Sequence, residues 1–299
     1  MSSLIIPVIS CIPAGFGYGL FLRKESQKFS RKGLGYLFLG MAVATTLGVV
    51  LYGTAAALDM LAEQVIALCV IVSVSFSIQA KKNTPVQLCC IAVFAAVLLW
   101  IVTSMEAHYQ GTTLNEAIST ITESLDMSSV SLATRSQMSV YMKLLPLLWP
   151  TVYLTSGAFY VTFALSAVVA GRRRVIEDTA WEFKSFALPA WTAILVLVAA
   201  GVLAVSHFAL TDESLSLSIG LNLLMAARIA YFIQGLSLLW WVLEKYEVGG
   251  IMSILAVLLG LYLEYSFYVL CVVGLIDALA DFRQMNIGLI RSKKRSNSK

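Results

Sequence analysis

The chain consists largely of long apolar stretches separated by short polar segments, and this pattern constrains its fold more than any other feature. A helix needs about 20 apolar residues to cross the hydrocarbon core of a bilayer. The stretches are Leu4–Leu22, Leu34–Thr54, Leu61–Ala80, Val86–Ser104, Leu144–Ala170, Leu188–His207, Leu217–Leu243 and Ile251–Ala280. Only 13% of the residues are charged, against about 25% in soluble domains. The sequence therefore predicts an all-α, polytopic transmembrane helical bundle.

The Lys and Arg residues are concentrated in alternate connecting segments, which orients the predicted helices. They cluster in 23–33, at 81–82, in 172–184, at Lys245 and in the tail 283–299. The intervening segments carry mostly Asp and Glu. Because cytoplasmic loops are enriched in Lys and Arg, we expect a bacterial inner (plasma) membrane protein with its N-terminus outside and its C-terminus in the cytoplasm.

The last apolar stretch, Ile251–Ala280, is long for one crossing and short for two. A single crossing would place the basic tail outside, against the pattern of all other loops. We therefore expect two short helices that fold back near Glu264–Ser266, giving nine crossings, with eight as the alternative. In this hairpin Glu264 would lie at a tip near the outer face.

No composition shift divides the chain, so residues 1–299 are predicted to form one integral membrane domain. Its parts are N-terminal helices within 4–104, an extracytoplasmic segment 105–143, C-terminal helices within 144–283 and a basic cytoplasmic tail 284–299. Within the extracytoplasmic segment, 111–130 shows the period of an amphipathic helix. In the first stretch, the glycines at 15, 17 and 19 have the small-residue spacing that permits close helix packing.

The C-terminal half resembles a known family. The marks are Trp181-Glu-Phe183, Leu188-Pro189-Ala-Trp191, Asn222, Tyr231-Phe-Ile-Gln234-Gly235-Leu236, Gly274-Leu-Ile-Asp277 and Asp281-Phe-Arg283, preceded by Pro146, Pro150 and Tyr153. In this order and spacing they resemble the YybS-like family of predicted bacterial membrane proteins, a domain of unknown function. That family is similar in layout to the S components of energy-coupling-factor transporters, which bind vitamins and metal ions. The resemblance implies a transporter-like bundle but assigns no site residue.

Arg228 lies near the middle of an apolar run, where an arginine is costly and marks a functional site by default. Asn222, Tyr231 and Gln234 surround it in sequence, and we predict that these residues line or support a binding site for a small solute or ion. Glu264 is its natural partner on charge grounds. The competing interpretation is a structural ion pair within the bundle. If the last stretch folds back, Arg228 should need a different partner.

A second candidate lies at the end of the last apolar stretch, where Asp277, Asp281 and Arg283 are close in sequence. Asp277 and Asp281 are four residues apart and would share a helix face. This group is either a cytoplasmic surface on which a partner docks or a solvated helix end with local ion pairs.

Several classes of function are not indicated. P-loop, dinucleotide-binding, HExxH and GxSxG motifs are absent, so we expect neither an enzyme nor a bound cofactor. The two histidines and five cysteines form no ligand pattern, so no metal site is expected, and no basic, aromatic-rich domain indicates nucleic acid. Expected partners are the lipid bilayer and a membrane protein or second copy of the chain. The sequence leaves two functions open: a transporter-like binder, or a non-transporting scaffold that assembles another membrane complex.

Overall fold

The computed structural model describes residues 57–80, 84–109, 111–113, 116, 132–173, 182–208 and 213–283, with single helical positions between 12 and 50. Within this part of the chain all regular structure is helical, which confirms the predicted fold class. The α-helices are α1 (Ala57–Ala80), α2 (Thr84–Tyr109), α3 (Leu132–Arg173), α4 (Ala193–Phe208), α5 (Glu213–Lys245), α6 (Gly250–Phe267) and α7 (Val269–Ala280). Of these, α1, α2, α3, α5 and α6 contain segments long and apolar enough to cross a membrane.

The chain divides into two compact units, Met1–Trp181 and Glu182–Lys299. In the first unit, α2 and α3 pack at close range because Gly157 has no side chain: a Cβ there would overlap the carbonyl of Ala92. One end of this contact is polar, since the hydroxyls of Thr103 and Tyr153 are 2.6 Å apart. The prediction that 1–299 form one membrane domain stays a prediction.

In the first unit, the structure shows the surroundings of Gly15 and of Glu63. A Cβ on Gly15 would lie 3.0 Å from that of Ala167, so this glycine does permit close packing against α3. Glu63, an acidic residue near the start of the third apolar stretch, lies within α1 and is buried beside Gln64. The predicted amphipathic helix in 111–130 lies almost wholly outside the described residues.

The second unit begins with a non-helical elbow, residues 182–192, where the sequence suggested that a helix starts at Leu188. The elbow contains two single 3-10 turns, Phe183–Ser185 and Ala190–Thr192, and α4 begins only at Ala193. Pro189 explains the difference, because a proline disfavours helical backbone at the residue before it. Pro189 itself is extended, with φ −69° and ψ 149°.

The chain reverses direction between α6 and α7, as expected, but at Tyr268 rather than near Glu264–Ser266. Tyr268 has left-handed backbone angles, φ 56° and ψ 30°, and separates the two helices. α6 starts just after α5 ends, and its far end returns to Arg228 in the middle of α5. α6 is therefore antiparallel to α5.

α7 then runs parallel to α5, as three successive contacts show. Gly274 lies against Tyr231 and Gly235, Gln234 bonds Asp277, and Arg283 reaches Ser237, so both helices advance together. At the crossing, a Cβ on Gly235 would overlap the carbonyl of Leu270, and one on Gly274 would overlap that of Tyr231. The two glycines thus let the backbones touch. The total number of crossings stays a prediction.

Candidate functional site

Arg228 and Glu264 form an ion pair at the reversal between α6 and α7, as charge alone predicted. Nε of Arg228 lies 3.5 Å from Oε1 of Glu264, a long and single contact. The arginine side chain keeps 35% of its accessible surface, whereas that of Glu264 keeps 9%. The two charges are therefore unequally enclosed, and the guanidinium is the more accessible of the two.

Glu264 also holds the reversal in place. Its second oxygen, Oε2, accepts a hydrogen bond of 3.0 Å from the backbone N–H of Cys271, in the first turn of α7. The first N–H groups of a helix have no partner inside the helix, and a carboxylate is favoured beside them. The carboxylate of Glu264 thus links the end of α6 to the start of α7.

Tyr268 completes this group, which we call the Arg228 cluster: Arg228, Glu264 and Tyr268, with the N–H of Cys271. The guanidinium carbon lies 4.2 Å from the centre of the Tyr268 ring, within the range of a cation–π contact. Tyr268 is itself half exposed. The guanidinium carbon thus lies over a ring that is itself partly accessible.

The sequence expectation that a fold-back would separate Arg228 from Glu264 is wrong. It assumed a tip at the outer face, but α7 has only 12 residues and measures about 18 Å. Counting back from Trp241, a residue type typical of membrane interfaces, the 13 residues to Arg228 span about 20 Å. The reversal therefore lies at the level of Arg228. The fold-back of the chain and the Arg228–Glu264 ion pair occur together.

A second polar group, the Asp277 network, connects α5 and α7 to the elbow. Gln234 is fully buried; its Nε2 donates to Oδ2 of Asp277 at 3.0 Å, and its Oε1 accepts from the N–H of Leu188 at 3.1 Å. Ser237, also fully buried, donates to the carbonyl oxygens of Phe183 at 2.7 Å and Phe186 at 3.1 Å. Two buried side chains of α5 thereby hydrogen-bond the backbone of the non-helical elbow, where the carbonyl of Phe183 also accepts from the N–H of Phe186.

Arg283 closes this network from the end of α7. Its Nη2 lies 3.3 Å from Oδ2 of Asp277 and 3.3 Å from Oγ of Ser237, and its Nη1 donates to the carbonyl of Lys184. Burial lowers the pKa of Arg283, while Asp277 and then Asp281 act in the opposite direction. A guanidinium still remains charged at neutral pH. Arg283 therefore neutralises a buried carboxylate and fastens the elbow.

The structure divides the five predicted binding residues between different places. Arg228 and Glu264 meet, whereas Gln234 joins the Asp277 network. Tyr231 is buried and its hydroxyl lies 3.0 Å from that of Thr192, at the elbow. Asn222 donates 2.7 Å to the carbonyl of Ser218, one turn earlier in α5. Whether any of them binds a ligand stays a prediction.

The predicted docking group is also rearranged. The side chain of Asp277 keeps 2% of its accessible surface and that of Arg283 keeps 11%, so neither forms a solvated helix end. Asp281 follows α7 in left-handed conformation, φ 47°, and does not continue the helix face of Asp277. Sequence reasoning missed two residues: Ser237, which carries no charge, and Tyr268, which looks like any apolar position.

The fold and these buried charges define a helical membrane protein with several helices long and apolar enough to contact the bilayer core. The chain belongs to a family described as predicted membrane protein (DUF2232), whose model matches residues 28–278. No curated protein and no solved structure matches the chain.

Proposed function

We propose that this protein is a transporter-like, multi-pass inner-membrane protein whose second unit binds a small solute or ion at the Arg228 cluster. One observation carries the proposal: a guanidinium one-third exposed in the middle of an apolar helix, with one long ionic contact. A charge at this depth requires a polar partner or water, and such residues mark substrate and ion pathways. A purely structural pair would use shorter contacts and bury both charges.

The helix break at Tyr268 supports the same conclusion. Non-helical backbone at membrane depth is tolerated only where it is buried in protein or lines a water-filled cavity. Tyr268 is half exposed, so burial does not account for it. In secondary transporters, broken helices near the midplane form the binding site. The combination of a break, a charge and an exposed aromatic ring is what a solute-binding position needs.

The orientation proposed is N-terminus outside and C-terminus cytoplasmic. The parallel course of α5 and α7 supports it, since both helices then end on the side that carries Lys184, Lys245 and the basic tail. The α6–α7 hairpin enters and leaves on that side.

We propose binding rather than catalysis: among the described residues no group of three or more His, Cys, Asp or Glu side chains could hold a metal ion, and the free thiol of Cys271 is only partly exposed. Without a nucleotide-binding motif, any uphill transport must draw energy from an ion or a partner protein. The resemblance to S components, which work with a partner, supports the second route.

The test is the thermal stability of the purified full-length chain in neutral detergent, screened against pools of carboxylates, phosphates, amines, vitamins and metal ions. A ligand at 100 times its Kd should stabilise the folded state by about 2.7 kcal/mol, visible as a rise in Tm. The rise should vanish in Arg228→Leu and persist in Gly201→Ala, a control on α4 with open space around it.

A screen in which no pool raises Tm, or a rise that Arg228→Leu retains, would overturn binding at this cluster. A stoichiometric membrane partner that co-purifies in that case would favour the scaffold function.

A further inference from the structure

We propose that the Arg228 cluster recognises an anion, a carboxylate or phosphate group, bound end-on by the two terminal nitrogens of Arg228. The inference rests on the proposed function and names the class of ligand for the same site. It follows from which hydrogen-bonding groups of the cluster are occupied and which are open.

The guanidinium has five N–H donors in a rigid plane. The Nε of Arg228 faces Glu264, and the guanidinium carbon lies over the Tyr268 ring. Among the residues that the structure describes, none accepts a hydrogen bond from Nη1 or Nη2. The edge left open is therefore the terminal one, whose two parallel N–H groups match the two oxygens of a carboxylate or phosphate.

Both carboxylate oxygens of the cluster are occupied, which argues against a cationic ligand. Glu264 is nine-tenths buried; Oε2 takes the N–H of Cys271 and Oε1 faces Arg228. The nearest other acid on α7, Asp277, is buried in its own network with Gln234 and Arg283. Among the described residues a cation would find no exposed carboxylate at this cluster, whereas an anion finds exposed, charged donors.

The weak link between Arg228 and Glu264 is consistent with exchange. At 3.5 Å through one nitrogen, Glu264 satisfies little of the guanidinium, while its bond to the Cys271 N–H is 3.0 Å and lies on the other oxygen. A ligand anion can thus pair with Arg228 without releasing the start of α7. Glu264 acts as an internal anion that lowers affinity for the ligand by partly neutralising Arg228.

The same chemistry has two sources, a free solute and a lipid headgroup. The reversal lies about 20 Å from the interface marked by Trp241, in a hydrocarbon core about 30 Å thick. About 10 Å of hydrocarbon then separates the reversal from the opposite, nearer interface. A free anion is the ligand that we expect, and the experiment separates the two.

The experiment measures Tm and the Kd of inorganic phosphate, acetate and succinate for the purified full-length chain, with ammonium and choline as cationic probes. We expect anions to raise Tm. Glu264→Gln should tighten anion binding several-fold, because glutamine keeps an acceptor for Cys271 but removes the competing charge. Arg228→Lys should weaken it about tenfold, since lysine keeps the charge and loses the paired donors.

The double variant Arg228→Leu/Glu264→Gln removes both charges, so it avoids leaving a buried carboxylate alone, and it should fold without binding anions. Stabilisation by ammonium or choline that Glu264→Gln abolishes would overturn the anion proposal and leave solute binding intact. Equal affinity for anions in Arg228→Lys and the parent chain would also overturn it. If no probe of either charge and no pool binds, the proposed function itself fails.

To separate a free solute from a lipid headgroup, Tm is also measured with the chain in bilayer discs of neutral lipid, or of neutral lipid containing an anionic phospholipid. Free anions that stabilise the chain in neutral discs identify a solute site. Stabilisation by the anionic phospholipid alone, lost in Arg228→Lys, would keep the anion chemistry and assign it to a lipid headgroup. Stabilisation unaffected by Arg228→Lys would overturn recognition by this arginine.

Discussion

The crossing of α5 and α7 gives the sharpest prediction for the fold, through the glycines at its centre. Gly235→Ala places a Cβ where the carbonyl carbon of Leu270 is 2.7 Å away, and Gly274→Ala places one 2.8 Å from the backbone nitrogen of Gly235. Both distances are shorter than real Cβ contacts allow, and backbone atoms of a helix cannot move aside singly. The two helices must therefore separate.

The size of the effect follows from two opposing contributions. Overpacking a well-packed contact costs about 1–3 kcal/mol. Replacing glycine by alanine within a helix contributes about 0.8–1.0 kcal/mol of stability through helix propensity. Gly201→Ala measures the second contribution alone, because nothing lies within 4 Å of its Cβ position. The difference between Gly235→Ala and Gly201→Ala should therefore be about 1–3 kcal/mol in unfolding free energy.

Thermal unfolding in detergent, followed by tryptophan fluorescence, measures this difference. We expect Gly235→Ala and Gly274→Ala each to unfold a few degrees below Gly201→Ala. The double variant should lose less than the sum, because the first alanine already separates the helices at this crossing. If Gly235→Ala proves as stable as Gly201→Ala, or the two costs add fully, the parallel contact of α5 and α7 is wrong.

The remaining predictions concern the charges and turns of the second unit. Arg283→Met leaves Asp277 buried without its cation and should cost about 3–5 kcal/mol in unfolding free energy; Lys184→Met removes only exposed ion pairs and should cost at most about 1 kcal/mol, so equal losses would contradict the network. Hydrogen bonds to the carboxylates of residues 182 and 244 raise the pKa of Lys184, so this small stabilisation is complete at neutral pH and is lost only as pH rises through that raised pKa, which a pH series of unfolding curves would show. Glu247→Gly should stabilise the chain by about 1 kcal/mol, because Glu247 has φ 50° in the turn that ends α5 and glycine adopts this conformation without strain; an unchanged Tm would count against the turn. In a chain whose five native cysteines are replaced by alanine, Lys299→Cys should react with an impermeant thiol reagent in inside-out vesicles and not in intact cells; the reverse labelling would refute the cytoplasmic C-terminus.

Pairing by charge was predictable within the second unit, but the level of the pair in the membrane was not. Arg228 is the one charged residue of its apolar stretch, and Glu264 lies in the middle of the next, so their ion pair follows from the cost of an isolated charge in hydrocarbon. That the chain reverses at Tyr268, beside this pair, depends on one left-handed residue and one carboxylate bond to the Cys271 N–H. Neither leaves a signal in hydrophobicity.

Gln234, Asp277 and Arg283 show the opposite case. The sequence assigned the first to a binding site and the other two to a docking surface, because position along the chain was the only guide. The parallel crossing of α5 and α7 brings them together, and Gln234 and Arg283 also bond backbone groups of the elbow. Contacts between residues 184 and 283 require a tertiary structure to be seen.

The sequence by itself determined that this is an all-α membrane protein with long apolar helices. The length and polarity of each segment are local properties, and the thickness and apolarity of the bilayer core set what they must be. It also marked Arg228 as exceptional. Only the tertiary structure decided that Arg228 keeps an open edge beside a broken helix, while Asp277 is enclosed. The physical reason is that the exposure and pairing of a charged side chain depend on which helices meet and in which direction. Here the meeting of α5 and α7 depends on Gly235, Gly274 and the left-handed backbone of Tyr268.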